Sequence, residues 1–301
     1  MKFGVLFTSH PHTDLEPYPH RDVHARTTAE ILEADRLGYD IAWIAEHHFS
    51  NGYGILPDPF TYIGYLAAQT EHIKLGTAVM TLPLYNPVRV VENAAFADIL
   101  SDGRFILGLG SGYRPYEFEG MGIPFDERRD IQEEALEIVL DALHSRRIKH
   151  QGKYFNLDVS GDYEIYPVGL QAPHVPLYLA AGTDRSIGVA AHHGCGLMLS
   201  TLPAFDKVAI QTEFYRTALN DAQEKWRRNP ACGHIDQARW VYVAESDAKA
   251  KEDSAAGLVH HIKNFMAKNA AGYLGAVSEK DQGGELDYDE LAETTLLHGS
   301  P

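Results

Sequence analysis

The feature that most constrains this sequence is a rhythm: short apolar runs alternate with longer segments whose apolar residues recur at helical spacing. That is the pattern of βα units wound around a parallel sheet. Strands are predicted at 3–8, 40–45, 73–80, 104–109, 176–181, 196–200 and 238–244, seven in all. Helices are predicted at 23–38, 59–70, 87–100, 126–144, 184–193, 204–222 and 247–271. In the first helix Thr27, Ile31, Ala34 and Leu37 form the core-facing stripe, Glu33 falls on the wet side, and Gly38 is the stop. Pro87 suits the first turn of its helix, and Ile131, Ala135, Ile138, Val139 and Ala142 give the fourth helix its buried face. Two segments break the rhythm. Residues 149–173, rich in Gly, Tyr and Pro, read as an excursion with short strands, and polar, Gly-rich 273–288 reads as a mobile lid.

With 301 residues, 45% of them apolar, the chain can bury a large core, and the expectation is a single domain over 1–301. A closed sheet of this kind needs one more strand than is visible, so the last strand and helix are expected to be absent from this chain. The net charge of -16 argues against a nucleic-acid partner, which needs clustered Lys and Arg, but leaves room for a small anionic cofactor held by a few local donors. Two cysteines, Cys195 and Cys232, make neither a disulfide framework nor a zinc pattern, which suits a reducing, cytoplasmic setting. No run of about 18 apolar residues marks a membrane span.

The densest chemistry lies in Trp43-Ile44-Ala45-Glu46-His47-His48-Phe49 at the end of the second strand. By alternation, Ile41, Trp43 and Ala45 are expected to face the helices, and Ala42, Ile44 and Glu46 the inside of the sheet. An acid and two imidazoles thus leave an apolar strand at its carboxyl end, where parallel α/β folds build their sites. A metal reading of Glu46, His47 and His48 is disfavoured, since adjacent strand residues diverge and no third spaced ligand is evident. Two loop histidines satisfied by hydrogen bonds is the plainer alternative.

Gly76, Thr77 and Ala78 on the third strand are small enough to leave room for a flat ring, or are ordinary interior packing. Gly108-Leu109-Gly110-Ser111-Gly112-Tyr113 brackets a serine with glycines whose N–H groups can cradle an anion; a flexible turn is the alternative. Ala180-Ala181-Gly182-Thr183-Asp184-Arg185-Ser186 opens a helix, a start that suits phosphate and in which Thr183 or Asp184 also serves as cap.

Together these residues resemble the bacterial-luciferase-like flavin-dependent monooxygenases along nearly the whole chain. Met1-Lys2-Phe3-Gly4, Glu46-His47-His48-Phe49, Gly76-Thr77-Ala78, Ser101-Asp102-Gly103-Arg104-Phe105, Glu117-Phe118 with Gly122, and Gly299-Ser300-Pro301 are similar, the last as the start of a late helix. The resemblance implies a (β/α)8 TIM-type barrel that takes FMN, in reduced form, and dioxygen to oxygenate a small apolar organic substrate. It also implies a homodimer or higher homo-oligomer. His47 matches the catalytic histidine. Glu46 and Ala78 match residues beside and under the flavin ring, with a non-proline cis peptide expected between Ala78 and Val79. Phosphate contacts are expected from Ser111, Gly112, Gly182, Thr183 and Ser186, and a substrate pocket from Phe49 and Tyr113. Many relatives carry arginine where this chain has Ser111, so Arg114 or Arg185 become candidates for the phosphate charge. Weak FMN retention and a separate flavin reductase follow from that departure. The rivals are a deazaflavin-dependent oxidoreductase, a non-catalytic flavin-binding protein and a metal-dependent hydrolase of the same fold.

Overall fold

The computed structural model describes residues 1–267 and 288–301. Its centre is a curled, parallel sheet of β1 (Gly4–Phe7), β2 (Ile41–Ile44), β3 (Lys74–Thr77), β4 (Met80–Thr81), β5 (Phe105–Gly110), β6 (Leu177–Ala180), β7 (Gly196–Leu199) and β8 (Ile235–Gln237). The order runs β1-β2-β3-β5-β6-β7-β8, with β4 also laid on β5. Helices α1 (Pro19–Leu37), α2 (Pro59–Ala67), α3 (Pro87–Leu100), α4 (Pro115–Met121), α5 (Arg128–Ser145), α6 (Asp184–His192) and α7 (Phe205–Ala218) connect the strands, and α8 (Asp247–Ala267) follows them.

The helices start and stop where side-chain chemistry dictates. Asp58 accepts the N–H groups of Phe60 and Thr61 to open α2, and Asn86 accepts that of Val88 to open α3. Gly38, with φ 81°, closes α1 in the left-handed region. Arg104, just before β5, donates to the carbonyls of Ala67, Thr70 and Ile73 and so ties the end of α2 to the sheet. The apolar stripe of α1 is buried at Thr27, Ile31 and Ala34, whereas Leu37 is exposed in the last turn. All the apolar positions expected on α5 are buried.

The inside of the sheet differs from the sequence expectation by one residue. Ala42 and Ile44 pack outward with Ile31, Ala34, Ile63 and Leu66 of the helices, while Ile41 and Trp43 join Ile106 and Tyr178 on the inner face. A one-residue slip exchanges the two faces of a strand. Volume decides the register: the Trp43 indole needs the space beside Gly76, where any Cβ would collide with its ring, and it meets Tyr178 edge-on at 5.8 Å.

The excursion forms as expected, an antiparallel hairpin of β9 (Ile148–Gln151) and β10 (Asn156–Val159). Its return is pinned by the fully buried Asp98 of α3, whose Oδ2 accepts from Leu170 N at 2.6 Å and Gln171 N at 2.9 Å. The last expected strand, 238–244, is instead split. Ile235–Gln237 pairs with β7, and after Ala238–Trp240 the chain continues as β11 (Val241–Val243). β11 pairs in parallel with β12 (Leu297–Gly299), which follows α9 (Tyr288–Thr294). Gly299 closes this strand, and a parallel strand that the sequence did not reveal stands at 297–299. No pairing joins β12 to β1 among the described residues. Of the expected lid at 273–288 only Tyr288 is described: it is buried at the start of α9, its hydroxyl 3.0 Å from Ser254. The rest lies outside the described residues. No helix among the described residues is long and apolar enough to cross a membrane.

Candidate active site

The carboxyl ends of the strands open into a cavity of about 1840 Å³ that continues down the inner face of the sheet. Cavities that hold one small molecule measure about 300–1,000 Å³, so this one has room for a cofactor and a second ligand. Its upper wall is made by Ala45, Glu46 and His47 after β2, Ala78 and Thr81 around β4, Ser111 to Tyr113 after β5, Gly182, Thr183 and Ser186 after β6, and Arg239 and Trp240 after β8. From α8, His261 leans over the mouth, 6.2 Å from the Tyr53 ring and 6.1 Å from Trp240.

Two carboxylates organise the β2 exit. Glu117 Oε1 lies 3.1 Å from His47 Nδ1 and accepts the His48 N–H at 3.0 Å. A carboxylate only accepts, so facing Glu117 in that form Nδ1 carries the proton, and Nε2 of the neutral His47 keeps its lone pair. Glu46 Oε1 meets His48 Nε2 at 2.8 Å, and its Oε2 accepts from Thr81 N at 3.2 Å.

The two neighbouring imidazoles are pushed in opposite directions. Burial holds His47 below the ordinary histidine range, against the hydrogen bond and charge of Glu117. Burial also works against the His48 cation, but the Glu46 hydrogen bond and charge outweigh it, and His48 sits above its ordinary value. Glu46 is raised by burial, with His48 pulling it back. His47 is thus the neutral, cavity-lining ring, packed edge-on against Tyr53 at 4.6 Å and Tyr113 at 6.1 Å.

The loop after β5 and the start of α5 bring further polar groups to the same cavity. Gly112 takes φ 71°, and a Cβ there would approach Phe118 to 2.6 Å and Thr81 to 2.7 Å, so the chain passes close to both with no side chain. Gln132, one turn beyond Arg128 on α5, is buried on the cavity wall with its amide nitrogen unpartnered. Arg128 donates to Gly112 O at 3.2 Å and stacks on Phe125, and it too lines the cavity. At the neighbouring start of α6, Thr183 caps the helix in a reciprocal box with Ser186. The Ser186 hydroxyl already accepts the N–H groups of Gly182 at 3.2 Å and Thr183 at 3.1 Å, so an incoming anion shares these donors with it.

The sequence-derived residues fall out as follows. Glu46, His47, Ala78, Ser111, Gly112, Tyr113, Gly182, Thr183 and Ser186 share the cavity wall, and the Ala78–Val79 peptide is cis. Glu46 reaches the wall with both oxygens engaged. Phe49 needs correction: with φ 61° it turns away, 63% exposed, and covers Gly120 outside the cavity. Arg114 is corrected too. It is fully buried behind the wall, 4.3 Å from the Tyr53 ring centre and 5.0 Å from that of Tyr113. Arg185 lines the cavity but holds Glu133 at 2.8 Å and Asp130 at 2.7 Å.

Glu117, Gln132 and Arg239 were not expected as site residues. Gln132 had a legible signal, a polar side chain inside the apolar stripe of α5. Glu117 stood out only as part of a family-like pair. Nothing local marked Arg239.

A curled parallel sheet with its polar groups gathered at the strand ends is the layout of the parallel-barrel cofactor-binding folds. The chain belongs to the luciferase-like monooxygenase family, whose model matches residues 1–301. It is 30% identical over 222 residues to the oxygenase component of a flavin-dependent trigonelline monooxygenase of Acinetobacter baylyi, an alignment covering 72% of this chain and 59% of that protein. It is 29% identical over 259 residues to a limonene 1,2-monooxygenase of Rhodococcus erythropolis, covering 82% and 62%. The chain thus spans about three fifths of the length of these relatives. Among solved structures, the monooxygenase RslO1 of Streptomyces bottropensis superposes with a TM-score of 0.78 at 25% identity, covering 93% of this chain and 83% of that one. The fold is shared with the oxygenating constituent of 3,6-diketocamphane monooxygenase of Pseudomonas putida, a structure in complex with FMN, at a TM-score of 0.81 and 19% identity, covering 100% and 85%. A coenzyme F420 dependent reductase of Methanopyrus kandleri also shares it, at 0.66 and 19%, covering 100% and 86%.

Proposed function

We propose that this chain is the oxygenating component of a flavin-dependent monooxygenase that receives reduced FMN from a separate reductase and uses dioxygen to oxygenate a small organic substrate. The observation that carries this reading is His47: a neutral, carboxylate-backed imidazole on the wall of a cavity that also gathers donors suited to an anion. The relatives named as flavin-dependent monooxygenases support it, one of them being an oxygenase component by name.

Whether the residues present fit FMN is tested by Gln132. A buried amide N–H without a partner is costly unless a ligand supplies an acceptor, and this one lies on the same wall as Ser111, Gly112 and Arg128. In this reading these residues, with Thr183 and Ser186, hold the phosphate, and Ala78 and Glu46 border the ring. The cofactor, when bound, supplies the oxygen-activating chemistry. The protein's share is narrower. Glu117 fixes the His47 tautomer and orientation. His47 Nε2 takes or returns a proton at neutral pH because burial keeps it unprotonated there. Tyr53, Tyr113 and Trp240 present apolar ring faces that limit water.

The test mixes the chain with photoreduced FMN, admits oxygen and follows flavin absorbance, with candidate substrates and 18O-labelled dioxygen in parallel. Oxidised flavin is expected to return more slowly than in protein-free solution, and one labelled atom is expected in the product. Rapid reoxidation identical to free flavin, with no label transferred, rejects the proposal. Tight binding of F420 in place of FMN redirects it to the deazaflavin reading.

A further inference from the structure

Arg114, expected as a phosphate ligand, sits instead behind a pair of tyrosines. It is fully buried and opens α4 just after the β5 loop. Its guanidinium carbon stands 4.3 Å from the centre of the Tyr53 ring and 5.0 Å from that of Tyr113. Both rings line the cavity, and both pack against the His47 imidazole, at 4.6 Å and 6.1 Å between centres. Two aromatic rings are thus shared by one cation and one imidazole. The Arg114 carbonyl accepts the N–H of Glu117 at 3.1 Å. One helical turn therefore delivers both the carboxylate that holds His47 and a buried positive charge near it.

A buried cation is costly, and an apolar side chain of similar length would fill the same space at less cost. The charge acts on its neighbour. A carboxylate against an imidazole favours the protonated ring, so Glu117 alone would load His47. Burial opposes this first, the charges of Arg114 and His48 add to it, and His47 ends below its ordinary range. Arg114 has no exposed surface, so aromatic rings rather than water lie beside it and its field is weakly screened. The other titratable groups around His47 are few. Glu46 and His48 pair with each other, Tyr53 and Tyr113 present rings, and His261 of α8 stacks on Tyr53 at 6.2 Å.

We infer that Arg114 is a positioning residue for His47: its guanidinium backs the Tyr53 and Tyr113 rings that pack on the imidazole, and its charge offsets that of Glu117, so the carboxylate orients His47 without protonating it. Arg114 stands behind the cavity wall, so it acts through His47 rather than on a ligand. What His47 does in turnover rests on the proposed oxygenase function, but the state of its ring can be read without any flavin.

The experiment follows the His47 ring proton by NMR through a pH titration of the flavin-free chain, with His47→Gln to assign the resonance. In the wild type the ring is expected to titrate below 6.5. Arg114→Met, which keeps an apolar stem against both rings, is expected to move the midpoint up by about one pH unit. Arg114→Gln supplies a second neutral side chain, so a folding defect confined to Arg114→Met does not hide the answer. Arg114→Lys, which keeps the charge, is expected to leave the midpoint within about 0.3 pH unit of wild type. In parallel, the chain is mixed with photoreduced FMN and dioxygen, and the pH profile of flavin reoxidation is expected to shift with the His47 midpoint in the neutral variants. A midpoint unmoved by removal of the charge overturns the inference. So does an equal rise in Arg114→Lys, because packing rather than charge then sets the ring. A rise confined to the neutral variants, in a chain that reoxidises flavin no differently from free solution, leaves the positioning role standing and rejects the oxygenase proposal instead.

Discussion

Polar groups in different parts of the cavity wall are in opposite states. After β2 both carboxylates are engaged: Glu117 serves His47 and the His48 amide, and Glu46 serves His48 and the Thr81 amide. Elsewhere, Gln132 Nε2 and the Nε and Nη2 atoms of Arg239 are buried with none. A satisfied network fixes orientation and protonation before any ligand arrives; unsatisfied donors are paid for only when a ligand brings acceptors. In the proposed function the first set serves proton handling and the second ligand capture, and the contrast can be broken by experiment.

The largest expected effect is on turnover. His47→Ala should lower kcat/KM by about 10²–10⁴-fold, the usual worth of a positioned acid–base group, while FMN binding measured by fluorescence stays close to wild type. Equal losses in both measurements would erase the division of labour. Next comes stability: Glu117→Ala strands two buried donors and should cost about 2–3 kcal/mol in urea denaturation, whereas Gln132→Leu, which removes a donor that has no partner, should leave the ligand-free chain unchanged or slightly firmer. A reversed order would show that the β2 network is not the rigid side.

A smaller effect is expected on affinity. Gln132→Leu should weaken FMN about tenfold, the worth of one hydrogen bond to a charged group, with no change in the pH dependence of turnover. The smallest expected effect concerns pH and stability. A buried neutral His47 costs nothing above the ordinary imidazole pKa of 6.5, and its penalty grows as pH falls below that value toward its lowered native pKa. His48, raised by its partner, contributes stability that is complete below 6.5 and fades as pH rises through its native pKa. Denaturation of His47→Gln and His48→Gln between pH 5 and 8 should therefore diverge from wild type in opposite senses. Parallel curves would refute the assigned protonation states.

How much of this was visible in the letters depended on distance along the chain. The βα rhythm was legible because helical and strand periods are local, and 87–100 was read to the residue as α3. Glu46-His47-His48 stood out for the same reason. The faces of β2 were misassigned because alternation gives two phases and only the cross-strand room beside Gly76 chooses between them. Glu117 pairs with a histidine 70 residues away, a relation that no spacing rule encodes. The split after Gln237 was missed because 238–244 carries the stronger apolar signal, while Ile235–Gln237 owes its place to pairing with β7. Phe49 was read as a pocket residue from its place beside the histidines, but its positive φ reverses the chain there.

The opposed shifts of His47 and His48 have an effect on how charge is stored. A proton reaching the pair from solution settles on His48, which is anchored to Glu46. That charge in turn disfavours a second proton on His47, since the two rings interact electrostatically. In the proposed reaction His48 would act as ballast, holding the local charge steady while His47 takes and returns its proton.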